Sequence, residues 1–458
     1  MKVIVCGAGQ VGFGIARQLA AEQNDVTVID QSPQLVQQIS DSLDVRALVG
    51  HGAHPDVLER AGASSADMLI AVTFHDEVNM IACQVAHSLF NVPTKIARIR
   101  SQSYLETLYS DLFSNDHMPI DVIISPELEV GDMVLKRIAM PGATDVVAFG
   151  DGRITMIAIE CMEECPIVDT PLMQLTELFP DLNATVVGVC RAGRLFVPRS
   201  ADQLLAGDLA YVVAAKEHVR RTLGLFGHDE EEATRIVIAG GGNIGRYVAR
   251  TIEARKGRTR VKIVEASRQR AAEAADELSR TVVLQGSALD QKLLMEAGID
   301  EADLMIALTN DDQVNILSGV LAKRLGCKSN MALLNNPAYH DFTGALGIDA
   351  FVNPRSVTIS RILQHVRRGR IRAVHSVQQG AAEVIEAEAL ETSPLVGRSL
   401  RDLDLPEGMR FGAILRGDAV LKPDGSLAIK PKDRVVIFAR AQAVRQVEQM
   451  FRVSLEFF

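Results

Sequence analysis

The sequence predicts an α/β protein made of two doubly wound parallel-sheet domains, each followed by a small α+β domain. Three observations support this fold class. The chain has 458 residues, enough for roughly two to four domains of ordinary size. Its sequence repeats after about half its length, and each half opens with short apolar strands that alternate with helical segments. With 47% hydrophobic and 23% charged residues, the composition is that of a folded globular protein.

Composition and charge exclude several classes of protein. The net charge is −10, tryptophan is absent and aromatic residues make up 4% of the chain, so we expect no nucleic-acid partner. No stretch approaches the ~18 apolar residues of a spanning helix, and we expect a soluble, cytoplasmic protein. Six cysteines suggest no disulfide framework. The close pair Cys161 and Cys165 lacks further ligands nearby, so no metal site is predicted.

The repeat is visible in several ordered segments. The glycine-rich segment at 7–12 returns at 240–245, and the apolar segment at 66–73 returns at 302–309. Shorter matches follow in the same order, up to the pairs 207–208 and 432–433. A preserved order with small insertions indicates a duplicated unit.

Each unit has two parts of different character. In the first part the strands are apolar at consecutive positions, which is typical of parallel strands covered on both faces. The predicted strands of the first copy are Val3–Cys6, Val26–Ile29, Val45–Val49, Met68–Val72, Lys95–Arg98 and Val122–Ile124, and the helices between them include Gly9–Glu22, Pro55–Ala61 and Glu77–Phe90.

The second part has alternating strands and turn residues, which indicate a small α+β domain. Its elements in the first copy are Asp145–Phe149, Ile154–Glu160, Val186–Cys190, Tyr211–Ala214 and a helix at His218–Phe226. The predicted domains therefore span 1–140, 141–227, 234–370 and 371–458, and a polar, acidic linker joins the halves at 227–233.

The first glycine loop has the spacing of a dinucleotide-binding site. It reads Gly7-Ala8-Gly9-Gln10-Val11-Gly12, follows an apolar strand and opens a helix. Its glycines suit the tight turn, the approach of a pyrophosphate and the packing of the helix on the sheet. Asp30 ends the second strand, where a carboxylate accepts hydrogen bonds from ribose hydroxyls and repels a 2′-phosphate. This pattern predicts NAD-type or adenine nucleotides rather than NADP.

The second copy repeats this arrangement. Gly240, Gly242 and Gly245 follow the strand at 235–239, with Asn243 and Ile244 opening the next helix. Glu265 ends the following strand in the position of the ribose carboxylate. The sequence therefore predicts a second nucleotide site.

Loops after the third and fourth strands are expected to complete both sites, because the carboxyl ends of parallel strands meet at one edge. After the third strand lie Gly50 and His51, matched by Gly286 and Ser287 in the second copy. His51 leaves two interpretations open: a polar loop histidine beside the ligand, or a metal or acid–base group. After the fourth strand, Thr73 and Thr309 are placed to contact phosphate.

The two copies differ at the end of the fifth strand. Arg98 and Arg100 of the first copy align with Leu333 and Asn335 of the second. Arginine beside a nucleotide commonly binds phosphate. One hypothesis is that the first site takes the more highly charged ligand; the alternative is that both arginines are ordinary surface residues.

No catalytic constellation accompanies the predicted cofactor sites. The paired acids at 76–77 and 311–312 open helices, where acids commonly cap the helix and balance its dipole. The P-loop, GxSxG and HExxH motifs are absent. The nucleotide is therefore expected to act as a signal, and the protein is predicted not to be an enzyme.

The motifs now described resemble the TrkA family, the cytosolic regulatory subunits of bacterial Trk potassium uptake. The resemblance covers the whole chain, including the tandem order of Rossmann (RCK, or KTN) domains and small RCK C-terminal domains. It is carried by the first glycine loop and by four further segments: Ala71-Val72-Thr73 with Asp76, Glu77 and Asn79; Gln84-Val85-Ala86; Ile96 to Arg100; and 310–312 with 322–324.

The resemblance implies properties that the spacing of residues does not. Proteins of this family bind NAD(H) and ATP or ADP. They form a homo-oligomeric ring attached peripherally to the cytosolic face of the inner membrane, on an integral-membrane potassium-translocating subunit. By this resemblance Gly7, Gly9, Gly12, Asp30 and Arg98 serve the first site. Gly240, Gly242, Gly245 and Glu265 serve the second.

The chain departs from the family pattern in two places. His51 and Ser287 stand where such domains often carry an acid after the third strand, and the second copy lacks the fifth-strand arginine. Both departures affect the expected ligand of the second site. Two other function classes stay open: an NAD-dependent oxidoreductase with duplicated cofactor domains, and a redox or energy sensor with a partner outside the membrane.

Overall fold

The structure is a computed structural model that describes residues 1–255, 257–366 and 371–451. The predicted boundary at 370 and the predicted end at 458 lie outside these residues. In chain order the first parallel domain contains β1 (Lys2–Cys6), α1 (Gln10–Ala21), β2 (Asp25–Asp30), α2 (Pro33–Ser42), β3 (Arg46–Val49), α3 (Pro55–Arg60), β4 (Met68–Ala71), α4 (Asp76–Phe90), β5 (Thr94–Arg98), β6 (Val122–Ile124) and α5 (Pro126–Ile138).

The first parallel domain has a six-stranded sheet in the order β3-β2-β1-β4-β5-β6. Its central strands are almost fully buried, because helices cover both faces. The strand order changes direction between β1 and β4, and ligands of such sheets bind at the carboxyl ends of the strands there.

The first small domain follows as an antiparallel sheet in the order β10-β9-β11-β8-β7. Its elements are β7 (Ala143–Phe149), β8 (Ile154–Glu160), α6 (Leu172–Leu178), β9 (Ala184–Arg191), β10 (Arg194–Phe196), β11 (Leu209–Ala215) and α7 (Val219–Leu225). Sequence reasoning missed β10 and α6, which are short elements with weak periodicity.

The second parallel domain repeats the topology of the first, in the order β14-β13-β12-β15-β16-β17. Its elements are β12 (Arg235–Ala239), α8 (Asn243–Ala254), β13 (Arg260–Glu265), α9 (Arg268–Glu277), β14 (Val282–Gln285), α10 (Gln291–Glu296), β15 (Leu304–Ala307), α11 (Asp312–Arg324), β16 (Ser329–Leu333), β17 (Ala350–Val352) and α12 (Pro354–Val366).

The second small domain again forms a five-stranded antiparallel sheet, in the order β18-β19-β22-β20-β21. It contains β18 (Ile371–Val377), β19 (Ala382–Glu388), β20 (Met409–Arg416), β21 (Ala419–Leu421), β22 (Arg434–Arg440) and α13 (Ala441–Met450). Two parallel-sheet domains, each followed by a small α+β domain, confirm the predicted fold class.

The chain forms two compact units. Unit 1 comprises Met1–Val130 and Asn353–Val366, and unit 2 comprises Gly131–Val352 with the described residues after 366. The helix α12 therefore follows a strand of the second sheet but packs in the core of the first, where Ile362, Leu363 and Val366 join the side chains of β1 and α1. An apolar helix face shows that a helix is covered, but not by which sheet.

Within unit 2 the two small domains pack sheet against sheet. One apolar core joins both, and Phe438 of β22 is fully buried in it, against Gly188 of β9. Each small domain also carries the same ion pair, in which the carboxylate is buried: Arg191 with Asp208, and Arg416 with Asp433. Acids scattered along a sequence commonly lie on the surface, but the side chains of Asp208 and Asp433 are both buried and bonded to a guanidinium group.

A charged contact joins the small domains beside this core. Asp145 of β7 accepts a hydrogen bond from His375 of β18 at 2.7 Å, and Arg137 lies 4.0 Å from the same carboxylate. Burial alone would raise the pKa of Asp145, but the neighbouring His375 and Arg137 lower it from 3.8 to about 2.

We predict that this carboxylate stabilises the fold above about pH 4 and loses that effect as the pH falls towards 2. A folded-state pKa below the unfolded value stabilises only while the group is ionised in the folded state, here by about 2 kcal/mol. The melting temperature of Asp145→Asn should therefore lie below that of the wild type at pH 7, and the gap should narrow from pH 5 to pH 3. The exposed Asp181→Asn is the matched control; a gap that stays constant with pH would contradict the prediction.

Candidate functional site

The loops predicted to bind nucleotide meet at one edge of the first sheet. In the parallel register Cys6, the last residue of β1, lies between Ile29 of β2 and Ala71 of β4. The Gly7 N–H donates to Ile29 O at 2.8 Å, and the Gly50 N–H donates to Asp30 O at 2.9 Å. The glycine loop, Asp30 and the loops that begin at Gly50 and Thr73 therefore surround one cleft at the strand ends.

The glycine loop has one position open to the cleft and two that only glycine can occupy. Gly7 has φ +113°, in the region that favours glycine. A Cβ on Gly12 would lie 1.8 Å from Gly7 O, so the helix could not pack this closely on the loop. A Cβ on Gly9 would meet no heavy atom within 4 Å. The space in front of Gly9 is therefore available to a ligand.

The first turn of α1 faces this open space. Gly9 is its N-cap and supplies no side chain to accept hydrogen bonds from the first N–H groups of the helix. Gly9 and Gln10 are exposed, Val11 is half-buried and Gly12 is buried. An uncapped helix N-terminus beside an open loop suits a phosphate, because its N–H groups and the helix dipole favour an anion.

Asp30 is held against the glycine loop by backbone donors. Its Oδ2 accepts from the Ala8 N–H at 2.7 Å and its Oδ1 from the Ser32 N–H at 2.8 Å. The residue stays half-exposed. Each carboxylate oxygen can accept more than one hydrogen bond, so Asp30 keeps capacity for a ribose hydroxyl.

In the second copy Glu265 has the equivalent position, but the protein itself uses more of the hydrogen-bonding capacity of its carboxylate. Its Oε2 accepts from the Gly241 N–H at 2.7 Å, and its Oε1 accepts from Ser267 N–H and from the Arg270 guanidinium at 2.9 Å. Glu265 is only 3% exposed. Burial raises its pKa, but these hydrogen bonds together lower it below the usual value. Leu35 occupies the position of Arg270 in the first copy, so the first acid has no such partner.

The other residues of the second loop match the first. A Cβ on Gly245 would lie 2.0 Å from Gly240 O, whereas a Cβ on Gly242 would meet nothing within 4 Å. Gly242 is the N-cap of α8, and Asn243 and Ile244 form its first turn. The second copy therefore also presents an open loop beside a helix N-terminus.

The fourth-strand threonines are turned inward. The Thr73 hydroxyl donates to Asn79 Oδ1 at 2.7 Å, and the Thr73 N–H donates to the same oxygen at 2.8 Å. Asn79 Nδ2 donates in turn to the carbonyls of Thr73 and Arg98, at 3.2 and 2.8 Å. Thr309 and Asn315 repeat this network. Each hydroxyl therefore donates into the protein, and a contact of Thr73 and Thr309 with phosphate stays a prediction.

Asn79 and Asn315 occupy equivalent positions in the two copies, and sequence reasoning gave neither a role at the site. Both side chains are fully buried, although asparagine is ordinarily exposed. The signal that was available is a repeated asparagine inside the apolar face of a helix, where an unpaired amide would be costly.

Arg98 and Arg100 have different hydrogen-bond partners. Arg98 Nη2 donates to Thr73 O at 2.8 Å, and its buried Nε has no partner within the described residues. Burial and the neighbouring Arg100 lower the pKa of Arg98. Arg100 instead pairs with Glu127 at 3.0 Å. Of the two arginines, Arg98 therefore has a buried donor that lacks a partner among the described residues.

The acids that open α4 and α11 connect loops. Asp76 Oδ2 accepts from the N–H groups of Arg100 and Ser101, at 2.9 and 2.8 Å, and Asp312 accepts equivalent hydrogen bonds from Asn335 and Asn336. The expected capping of their own helices is wrong for these two acids, which fix the chain after the fifth strand. In the second copy the neighbouring Asp311 is the N-cap.

The third-strand loops differ in chemistry. His51 is half-buried and stacks on His54 with ring centroids 4.4 Å apart, and its Nδ1 accepts from the Ala53 N–H at 3.3 Å. Burial and His54 lower the pKa of His51, which favours the neutral ring. Gly286 precedes the exposed Ser287, whose hydroxyl accepts from the Leu289 N–H. Among the described residues no group of three or more His, Cys, Asp or Glu side chains is placed to hold a metal.

Two domain families match the chain. The TrkA-N domain matches residues 3–126 and 236–354, and the TrkA-C domain matches 384–452. The chain is 60% identical over 458 residues to "Trk system potassium uptake protein TrkA" of Azorhizobium caulinodans, with 100% of each sequence covered. It is 43% identical to the protein of the same name from Halomonas elongata, again with 100% of each covered.

Solved structures share the fold at low identity. "GsuK Channel" has a TM-score of 0.61 and 17% identity, covering 98% of this chain and 78% of that one. "Crystal Structure of the GsuK RCK domain" has a TM-score of 0.59 and 18% identity, covering 98% of this chain and 94% of that one. No helix in the described part of this chain is long and apolar enough to cross a membrane.

Proposed function

We propose, on the premise that the chain belongs to the TrkA family, that it is the nucleotide-sensing regulatory subunit of a Trk potassium uptake system. The family premise rests on the match along the full chain, at 60% identity, to a Trk system potassium uptake protein. The nucleotide part rests on one observation: the open space at Gly9 lies beside an uncapped helix N-terminus. Bound nucleotide would favour one shape of the protein, and that shape would set the activity of the transporter.

The first site suits NAD(H). A dinucleotide supplies a charged pyrophosphate and ribose hydroxyls when bound. The first turn of α1 and the half-buried guanidinium group of Arg98 would hold the phosphates, and the half-exposed Asp30 would accept from the ribose. Gly50 and His51 would line the adenosine side. ADP or ATP fits the same groups, since both carry a ribose and adjacent phosphates.

The second site suits a different or weaker ligand. Gly240, Gly242, Gly245 and the first turn of α8 supply the same anion-binding backbone, but Glu265 is buried and bonded to Arg270. A ribose hydroxyl would have to displace that guanidinium. The edge is completed by Thr309, Gly286 and Ser287. At the end of the fifth strand the second copy has Leu333, where the first copy has Arg98.

Ligand-dependent control requires a difference in affinity between two shapes, because a ligand shifts an equilibrium only by that difference. We propose that copies of the chain form a ring on the cytosolic face of the membrane, attached to an integral-membrane potassium-translocating subunit. Interfaces in a ring can pass a change in one subunit to its neighbours and to the attached partner. The domain limits 1–140, 141–227, 234–370 and 371–458 are kept as part of this proposal.

The chemistry of the site favours sensing over hydride transfer. Asp30 and Glu265 accept hydrogen bonds from backbone N–H groups, which fix their positions at the strand ends. A carboxylate held this way suits ligand recognition better than proton transfer. No observation favours the oxidoreductase alternative, and we propose that the protein is not an enzyme.

The asymmetry between the sites gives a testable expectation. Arg98→Leu, which introduces the residue of the second copy, should weaken ATP and NADH binding at the first site by roughly 10- to 100-fold, because one hydrogen bond to a charged group is lost. Isothermal titration of the full chain measures this, with Gly242→Ala present to remove the second site. Arg100→Leu is the matched control and should change the affinity much less, since Arg100 pairs with Glu127. Equal effects of the two substitutions would contradict the assignment.

A further inference from the structure

A partly open cavity of about 150 Å³ lies in unit 2, and none of its lining residues is assigned to a nucleotide site. Side chains of the first small domain form most of its wall. The second small domain contributes Arg410 of β20 and the two residues that follow β21, Lys422 and Pro423. The apolar part of the wall includes Ile167, Leu172, Leu175, Val212, Leu225 and Phe226. An apolar cavity of about this volume is large enough to hold a benzene ring.

Two cationic side chains of the second small domain line this apolar cavity. Arg410 donates to the backbone carbonyl of Pro198, and Lys422 Nζ donates to the carbonyl of Leu182 at 3.3 Å. Neither forms an ion pair with an acid in the parts of the chain that the structure describes. Both side chains are half-buried. Burial lowers the pKa of both groups, and the nearby Asp202 partly opposes this effect at Arg410.

A third polar group in the wall is also unsatisfied. The buried hydroxyl of Thr185 has no hydrogen-bond partner among the described residues, whereas the neighbouring Thr222 donates to the His218 carbonyl at 2.8 Å. A buried hydroxyl without a partner costs stability, and so does a partly buried cation without a directly bonded acid. The wall therefore combines apolar surface with donors that lack an anionic acceptor.

We propose that this cavity binds a small apolar carboxylate, with its hydrocarbon body inside the cavity and its carboxylate against Arg410 and Lys422. The volume sets the size of the body at about one aromatic ring or a short branched chain. The two cations select a negative charge, and a carboxylate can accept from both at once. Thr185 adds a hydroxyl donor on the first small domain.

Occupancy of this cavity would stabilise the pairing of the two small domains, because the wall contains residues from both. A ligand that binds only the paired arrangement raises its stability in proportion to its concentration over its dissociation constant. The cavity would therefore report the level of an apolar acid independently of the nucleotide sites.

Benzoate is the probe for the test, with isothermal titration of the full-length protein as the measurement. We expect saturable binding of benzoate, and much weaker binding of benzyl alcohol, which lacks the charge, and of acetate, which lacks the ring. Arg410→Gln and Lys422→Gln should each raise the dissociation constant of benzoate by roughly tenfold or more. Lys430→Gln, an exposed lysine of the same small domain, is the matched control and should leave it unchanged.

A further variant keeps Arg410 and Lys422 but fills the cavity. Ala184→Phe places a ring in the cavity and should abolish benzoate binding while NADH binding stays at the wild-type level. The proposal is overturned if benzoate shows no saturable binding or binds no better than benzyl alcohol. It is also overturned if Arg410→Gln, Lys422→Gln and Ala184→Phe bind benzoate like the wild type.

Discussion

Gly9→Ala is expected to weaken NADH binding at the first site by about 100-fold, equivalent to one or two lost hydrogen bonds to a charged group. Gly9 has φ −64° and ψ −175°, which alanine adopts readily, and its Cβ would meet no protein atom within 4 Å. The added methyl group would instead occupy the space through which a pyrophosphate reaches the α1 N-terminus. The melting temperature should stay within about 2 °C of the wild type.

Two further glycine variants separate ligand exclusion from misfolding. Gly12→Ala should lose both binding and stability, because its Cβ would lie 1.8 Å from Gly7 O. Gly242→Ala should leave the first site unchanged, since it opens into the second. Titration of the full-length variants with NADH measures each effect. Binding of NADH to Gly9→Ala at wild-type affinity would refute the assignment of this cleft as the first nucleotide site.

Asn79→Ala is expected to destabilise unit 1 by about 3–5 kcal/mol. The substitution leaves the Thr73 N–H and the Arg98 carbonyl without the Asn79 side chain as their partner, in a place where Asn79 itself is fully buried. Each buried group left unpaired costs roughly 1–3 kcal/mol. The loop after β4 and the end of β5 should also lose their fixed positions, and NADH affinity at the first site should fall.

The matched control is Asn315→Ala, which removes the equivalent network in unit 2. Hydrogen exchange resolves the two units, and we expect faster exchange in unit 1 for Asn79→Ala and in unit 2 for Asn315→Ala. NADH binding at the first site should weaken only for Asn79→Ala. Equal protection of unit 1 in Asn79→Ala and the wild type would show that the network contributes little.

Much of the fold could be predicted from the sequence, because each copy of the repeat supports the strands and helices assigned to the other copy. Six consecutive apolar strands and two spaced glycine loops specify parallel sheets wherever they occur. The topology of α12 could not be predicted this way. Its apolar face shows that it is covered, but the choice of the first sheet depends on the path of the chain after β17.

The candidate site was predictable at the level of backbone and charge. Gly7, Gly12 and Asp30 follow from the spacing of a glycine loop and the end of the next strand. The hydrogen-bond partners of individual side chains could not be predicted from the sequence. The Arg270 partner of Glu265 is contributed by the next helix, and the inward turn of Thr73 depends on an asparagine six residues away. Such pairings depend on three-dimensional distances that the sequence pattern does not contain.

The central claim is that nucleotide bound at the first glycine loop controls potassium uptake. The most direct test is rubidium uptake, as a surrogate for potassium, by cells that lack this protein and receive either the wild type or Gly9→Ala. We predict that the wild type restores uptake and that Gly9→Ala, present at equal abundance, does not. Full uptake with a Gly9→Ala protein that no longer binds NADH would contradict the account, because transport would then proceed without nucleotide sensing at this site.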